Sequence, residues 1–143
     1  MPFVRIWIHL IWSTKNRAKI ISPSFRTNLL NHILENANKK QIFIDTINCV
    51  DNHCHALISL GASQTISKIA LLIICESSFW INQNRFCPGK FEWQEEYFAI
   101  SASESQLNKV REYINSQEEH HRKITFQEEF KLFMEKHGAK FLG

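Results

Sequence analysis

Alternating apolar and polar positions predict four short β-strands. The first covers Phe3 to Ser13 (FVRIWIHLIWS) and is rich in the β-branched and aromatic residues that favour strands. A second is predicted over Ile42 to Val50, and an Asp51-Asn52 turn leads into a third that ends at Leu60. The fourth is predicted over Glu96 to Ser103.

Successive side chains of a strand point to opposite faces, which gives the first strand two different surfaces. One face would carry Ile6, Ile8, Leu10 and Trp12, and the other would carry Arg5, Trp7, His9 and Ile11. The second face is half aromatic and polar, as expected of a surface that binds a ligand or is covered by a partner.

Apolar residues at helical spacing predict four helices between and after these strands. The first begins with Ser22 as N-cap and Pro23 at the first helical position, and it runs to about Lys40. The second runs from Thr65 to Gln83, and the third opens at Ser105. Thr125 would cap the last helix, which is expected to stop near Gly138.

The order β-α-β-β-α-β followed by helices predicts an α+β fold. The expected architecture is a ferredoxin-like (RRM-like) split βαβ sheet with helices on one face, followed by C-terminal helices. The sequence contains no internal repeat, low-complexity tract or linker. We therefore expect residues 1–143 to form a single domain.

Composition narrows the class of protein without fixing its function. Eleven Phe and four Trp exclude a disordered chain, and a net charge of +3 permits nucleic-acid binding without arguing for it. There is no signal-peptide pattern, and the most apolar segment, Ile66 to Ile74, is too short to span a bilayer. The four cysteines form no C-x-x-C pair. We therefore expect reduced cysteines, a cytoplasmic location and no membrane partner.

His53 and His55 are candidate metal ligands on the third strand. Side chains two apart share a face at about 7 Å separation, so both imidazoles can converge on one ion, while Cys54 points away. A metal normally needs a third protein ligand. Tyr113 and Gln117 are candidates for the missing partners, because residues four apart on a helix share a face.

Each of these residues also has an ordinary structural interpretation. A His-x-His pair can be surface or core histidine, and Tyr113 can be a core aromatic with its hydroxyl at the rim. The segment from Glu118 to Lys123 is typical of a solvated run of charge. His9 and His32 have no evident partner in the sequence.

Together, however, these residues carry a resemblance that covers nearly the whole chain. The sequence resembles the single-tyrosine HUH transposases of small insertion sequences that move as single-stranded DNA. The matching stretches are HLIWSTKNR (9–17), DNHCHALISL (51–60), ESSFWIN (76–82), FEWQEEYFAISAS (91–103) and YINSQEEHHRKITFQEEF (113–130).

The resemblance implies a reaction and a set of roles. His53 and His55 would bind Mg²⁺ or Mn²⁺ with Gln117 as the third ligand, and Tyr113 would form a covalent 5′-phosphotyrosine intermediate. The protein would act as a homodimer with a sheet continued across the interface, and the tyrosine helix of one subunit commonly completes the other's site. The DNA would be a single-stranded hairpin, with Arg5, Lys15, Arg17 and Lys68 as candidate DNA contacts.

The sequence departs from the family pattern at three places. Asp51-Asn52 replaces the Pro-Asp that many relatives carry before the first histidine, Cys75-Glu76 replaces Lys-Gly, and the segment around Glu96 and Phe98 is bulkier than expected.

Three alternatives to a mobile-element transposase remain open from the sequence. They are a domesticated relative associated with repetitive extragenic palindromes, a nucleic-acid-binding module without catalysis, and a small zinc protein.

Overall fold

The computed structural model describes residues 2–136 and contains a four-stranded antiparallel sheet. Its strands are β1 (Ile6–Thr14), β2 (Phe43–Cys49), β3 (His53–Leu60) and β4 (Trp93–Ala102), in the spatial order β2-β3-β1-β4. This order, with two crossover helices, is the ferredoxin-like split βαβ sheet predicted from the sequence. β3 and β1 are therefore the central pair, covered on both sides.

Helices lie on both faces of the sheet. The crossovers are α1 (Pro23–Lys39), then α2 (Ile66–Ala70) and α3 (Glu76–Gln83), which are joined by a π-helical turn over Leu71–Cys75. The chain ends in α4 (Leu107–Asn115), α5 (Gln117–His120) and α6 (Phe126–Lys136), with short 3₁₀ turns at Lys15–Arg17 and Glu104–Gln106.

The larger core lies between the sheet and the crossover helices. Leu10, Trp12 and Ile58 contribute from the sheet, and the side chains that meet them come from α1 to α3, including Phe25, Leu29, Ile33, Ile69, Ile73 and Ile81. Cys54 belongs to this core. The prediction that it turns away from the histidines is therefore confirmed.

The opposite face of the sheet carries the histidines and is covered by the C-terminal helices. A small apolar cluster of Trp7, Leu57, Leu107 and Ile114 seats α4 there. Asn48 on β2 donates to the backbone carbonyl of Ile114 at 2.9 Å. Asp45, the extra residue at a bulge in β2, accepts from Arg111 Nε at 2.8 Å and from Nη2 at 3.0 Å. These polar contacts fix the helix that carries Tyr113.

Three local predictions differ from the structure. The helix expected from Thr65 to Gln83 is interrupted by the π-helical turn, which brings the adjacent Ile73 and Ile74 both into the core. The helix carrying Tyr113 ends at Asn115, and Gln117 begins the next one. Thr125 does cap α6, since its hydroxyl accepts from the backbone N–H of Glu128 at 3.2 Å, but the expected stop near Gly138 lies outside the described residues.

The expectation of reduced cysteines is wrong for one pair. Cys49 and Cys54 lie directly opposite each other in the β2–β3 ladder, with Cα atoms 4.1 Å apart, and are joined by a disulfide. The spacing of the cysteines in the sequence does not predict this disulfide, because the pairing depends on the register of β2 against β3. Cys75 and Cys87 are free.

None of the helices within residues 2–136 has the length and apolar character needed to cross a membrane.

The Asp45–Arg111 ion pair gives a testable pH dependence. The Arg111 hydrogen bond is the main reason that the pKa of Asp45 lies below its usual value. A carboxyl with a lowered folded-state pKa stabilises the fold above its unfolded pKa of about 3.9 and loses that contribution as the pH falls. We expect Asp45→Asn to reduce the free energy of unfolding at pH 7 by about 0.5–1 kcal/mol, given the partial exposure of the pair.

Urea unfolding at pH 7 and pH 3 measures this effect, and the difference between variant and parent should shrink at pH 3. The control is Glu95→Gln, which neutralises an exposed carboxylate on β4. An Asp45→Asn penalty that is the same at both pH values would contradict the assignment.

Candidate metal and nucleophile site

The two histidines of β3 lie side by side on the sheet face covered by the C-terminal helices. Both are fully buried, at 0% exposure, with ring centroids 5.1 Å apart. The two imidazoles therefore share one face of the strand, as its period of two predicts. Burial disfavours the charged imidazolium, which lowers the pKa of His53 and lowers that of His55 to about 4. Both rings are therefore neutral at pH 7, the form that binds metals.

A neighbouring side chain fixes each ring. His53 Nδ1 lies 2.8 Å from Asn52 Oδ1, so the ring donates there and its Nε2 lone pair faces the site. His55 Nδ1 lies 2.8 Å from His9 Nε2. When His55 donates in that contact, its Nε2 lone pair also faces the site. His9 is therefore a partner of the His53–His55 pair, contrary to the expectation that it stands alone.

Asn52 provides a hydrogen-bond acceptor for His53, although this chain lacks the Pro-Asp that many relatives carry before the first histidine. An outer hydrogen-bond acceptor normally fixes the tautomer of a metal-binding histidine. Asn52 Oδ1 occupies that position, and its Nδ2 donates to the carbonyl of Arg17 at 3.4 Å. The Asn52 amide thus orients His53.

Gln117 reaches the same point from the C-terminal helices and is fully buried. Its Nε2 donates to the carbonyl of Tyr113 at 3.1 Å, which aims Oε1 at the histidines. Gln117 Oε1 lies 3.3 Å from His53 Nε2 and 3.0 Å from His121 Nε2. The backbone break at Ser116 therefore still leaves Tyr113 and Gln117 together, as the sequence predicts.

Glu129 of α6 lies at the centre of the site and was not predicted from the sequence. Its Oε1 lies 3.3 Å from both His53 Nε2 and His55 Nε2. Its Oε2 lies 3.2 Å from the Nε2 atoms of both His120 and His121, and accepts a hydrogen bond from the Tyr113 hydroxyl.

A signal for Glu129 exists in the sequence. Phe126, Glu129 and Phe133 follow one another at helical spacing, so an acidic residue stands on the apolar stripe of α6. The structure confirms this placement. Glu129 is only 2% exposed, Phe126 stacks on His53 with centroids 4.2 Å apart, and the Phe133 ring lies 5.5 Å from that of Tyr113.

The segment from Glu118 to Lys123, interpreted as solvated charge, is only partly so. His120 and His121 are half-buried and face Glu129, whereas Glu118, Glu119, Arg122 and Lys123 are exposed. The difference follows from where the short α5 turns, which the sequence pattern does not define.

The surroundings of the Glu129 carboxylate and the Tyr113 phenol shift the pKa values of both groups. Burial opposes ionisation of Glu129, but the surrounding imidazoles of His121, His53 and His55 outweigh it and hold the pKa of this carboxyl well below normal. Burial, reinforced by Glu129, raises the pKa of Tyr113 well above normal. At neutral pH the site therefore contains a carboxylate facing a protonated phenol.

These residues fit a divalent metal ion. His55 Nε2 and Glu129 Oε1 are buried and have no hydrogen-bond partner, which is rare for polar atoms in a folded protein. Ligand atoms about 2.1 Å from one ion lie about 3.0–3.4 Å apart at octahedral or tetrahedral angles. The contacts of 3.3 Å that join His53, His55, Gln117 and Glu129 have that length.

A groove of about 720 Å³ leads from the surface to the Tyr113 ring. Its walls include Ser101 near the end of β4, Ser103 just after that strand, and the exposed Lys109 and Lys136 from α4 and α6. The two lysines were not among the predicted DNA contacts. They lie where an anionic strand could approach the tyrosine.

The predicted DNA contacts are dispersed. Arg5 pairs with Glu104, and Lys15 Nζ lies 3.1 Å from Glu92. Arg17 lies over the rings of Phe126 and Phe130, 5.7 and 5.9 Å from their centroids. Lys68 stands on α2, whose buried side chains join the core on the opposite face of the sheet. The structure therefore brings Arg17 close to the site and leaves Lys68 remote from it.

Glu76, the acidic residue that departs from the family pattern, is also remote from His53 and His55. His32 Nε2 lies 2.8 Å from its carboxylate, so His32 has a partner as well.

Removing the Asn52 side chain tests the orientation of His53. In Asn52→Ala the His53 Nδ1–H loses its acceptor and the ring is free to change tautomer, so we expect Mn²⁺ affinity to fall about 10-fold or more. Asn52→Asp keeps the acceptor and should bind nearly as the parent does. Isothermal titration calorimetry with Mn²⁺ measures both; equal affinity in the alanine variant would contradict the role given to Asn52.

The fold and the sequence are similar to those of known transposases. No curated protein matches the sequence. The fold is similar to that of a candidate transposase from Deinococcus radiodurans R1, at 18% identity over 81% of this chain and 93% of that one, with a TM-score of 0.62. It is also similar to a REP-associated tyrosine transposase bound to a REP hairpin, at 12% identity over 85% of this chain and 72% of that one, again with a TM-score of 0.62. The family model described as "Transposase IS200 like" matches residues 3–117, and the chain therefore belongs to this family of transposases.

Proposed function

We propose that this transposase cleaves and rejoins single-stranded DNA through a covalent 5′-phosphotyrosine link at Tyr113, with Mg²⁺ or Mn²⁺ held by His53, His55 and Gln117. One observation carries the proposal. The Tyr113 hydroxyl and the Nε2 atoms of both histidines all meet the two oxygens of a single carboxylate, that of Glu129. The nucleophile and the metal ligands are thus within reach of one phosphate group.

The reaction is a transesterification in which no external energy source is consumed. The Tyr113 hydroxyl gives up its proton as its oxygen attacks phosphorus in line, and the bond from phosphorus to the 3′ oxygen breaks. The 3′ oxygen takes up a proton and leaves as a hydroxyl, so no net proton is gained or lost. A bound divalent ion would polarise a non-bridging phosphate oxygen and stabilise the developing charge. The free 3′ hydroxyl of another strand can later reverse the step and rejoin DNA.

The chain's own residues position the tyrosine for this attack. The ring is half-buried, packed against Phe133 and His55, and its hydroxyl is directed at Glu129 Oε2. Holding a nucleophile in a near-attack position supplies much of the rate in such reactions.

Hairpin DNA is the proposed substrate. A structural neighbour of this fold is bound to a REP hairpin, and the groove beside Tyr113 is bordered by Lys109 and Lys136. Lysines neutralise phosphate groups irrespective of sequence. We expect the 1–143 chain to act as one HUH domain and to dimerise by continuing the sheet from an outer strand, β2 or β4.

A covalent adduct assay tests the reaction. Oligonucleotides from the flanks of the gene are incubated with protein and Mn²⁺ and resolved on a denaturing gel. We expect a slow-migrating protein–DNA adduct that is lost in EDTA and in Tyr113→Phe, because the variant lacks the attacking oxygen. Binding to the same DNA on a native gel should persist in Tyr113→Phe.

Tyr97 provides the matched control, since the chain contains two tyrosines and Tyr97 stands on β4. Tyr97→Phe should still form the adduct. Cleavage that survives in Tyr113→Phe would contradict the nucleophile assignment. A hairpin-specific shift without any adduct from the parent protein would favour a binding module instead.

A further inference from the structure

The carboxylate of Glu129 lacks the partner that a buried charge normally has. It is 2% exposed, and its contacts in the described chain are with four histidines and a tyrosine rather than with any lysine or arginine. Moving an unpaired carboxylate out of water is costly unless a cation or several donors compensate it. Its Oε1 has no hydrogen-bond partner.

The geometry around Oε1 is that of a shared ion rather than of hydrogen bonds. Oε1 lies 3.3 Å from His53 Nε2 and 3.3 Å from His55 Nε2. The hydrogen on each ring is required at Nδ1 if the rings donate to Asn52 and His9, which leaves lone pairs rather than hydrogens facing Oε1. Lone pairs that face one another at this distance are stabilised by a cation between them. The three residues form a group whose ligand atoms all lie within 4.8 Å of one another.

We infer that Glu129 is a fourth protein ligand of the metal bound by His53, His55 and Gln117, and that its second oxygen holds the Tyr113 hydroxyl beside that ion. The inference rests on the proposed function, because it concerns the same metal site. It goes beyond the family assignment, because the family model ends at residue 117 and Glu129 belongs to α6.

The two oxygens of Glu129 have separate tasks. Oε1 faces the histidines, and Oε2 accepts from the Tyr113 hydroxyl. One carboxylate therefore sets the distance between the nucleophile and the ion. Four protein ligands leave two positions of an octahedral ion for phosphate oxygen or water, and an anionic oxygen ligand makes the set better suited to Mg²⁺ or Mn²⁺ than two imidazoles and an amide alone.

The same contact would couple the metal to α6. The helix packs Phe126 on His53 and Phe133 against Tyr113, and Glu129 lies between them on the same stripe. A ligand on α6 means that metal binding tightens the helix against the sheet. Amide hydrogen exchange along α6 should therefore slow when Mn²⁺ is added.

The test compares Mn²⁺ binding in the parent, Glu129→Gln, Glu135→Gln and His53→Ala. Calorimetry and the loss of the free Mn²⁺ electron paramagnetic resonance signal measure affinity without DNA or catalysis. Glu129→Gln keeps the size of the side chain, so folding is preserved while the charge is removed. Glu135→Gln removes an exposed charge from the same helix and serves as the matched control.

We expect Glu129→Gln to weaken Mn²⁺ binding by at least the 10- to 100-fold that loss of an outer-shell partner costs. Glu135→Gln should bind as the parent does, and His53→Ala should lose binding. The slowing of exchange in α6 on Mn²⁺ addition should occur in the parent and be absent in Glu129→Gln.

Other outcomes separate this inference from the proposed function. Unchanged or tighter Mn²⁺ binding in Glu129→Gln, with binding lost in His53→Ala, would overturn the inference while leaving the metal site intact. Unchanged binding in His53→Ala would overturn the proposed metal site, and the inference with it.

Discussion

The structure depends on how a buried carboxylate is accommodated on one face of a four-stranded sheet. Glu129 brings a negative charge among the imidazoles of His53, His55, His120 and His121, where it also accepts from the Tyr113 hydroxyl. A charge in such a place needs compensation. The requirement explains why residues from β3, α4, α5 and α6 converge on a single point, and why that point suits a cation.

The rest of the molecule holds this point in place. The crossover helices form the main core on the far side of the sheet, so the histidine face needs only a small apolar cluster to seat α4. Polar contacts from β2 then fix that helix, through Asn48 and the bulge at Asp45. The main core thus lies on one face of the sheet and the candidate site on the other, a division that ferredoxin-like sheets allow because their two faces carry alternate residues.

Much of the fold follows from periodicity. Alternation in β1 and β3 and the helical spacing of α1 are long and regular, and the strand order follows from the sequence of elements. The positions of His53 and His55 on one face follow from the period of a strand alone. The grouping of Tyr113 and Gln117 follows from helical spacing, and it survives the break at Ser116 because the Gln117 amide bonds to the Tyr113 carbonyl.

The remaining features depend on tertiary contacts that periodicity does not encode. The Cys49–Cys54 pairing arises from strand register, and the partner of His9 arises from its position beside His55 in the sheet. Glu129 is the main omission. Its position on the apolar stripe of α6 is visible in the sequence. Its contacts with His53 and His55, however, depend on where α6 packs against the sheet, which the sequence pattern does not predict.

The most direct measurement is a crystal structure of the protein soaked with Mn²⁺, with anomalous diffraction used to locate the ion. We expect one strong peak about 2.0–2.2 Å from His53 Nε2, His55 Nε2, Gln117 Oε1 and Glu129 Oε1. The Tyr113 hydroxyl should still donate its hydrogen bond to Glu129 Oε2. A peak elsewhere, or an ion bound by the histidines with Glu129 and Tyr113 turned away, would contradict this expectation.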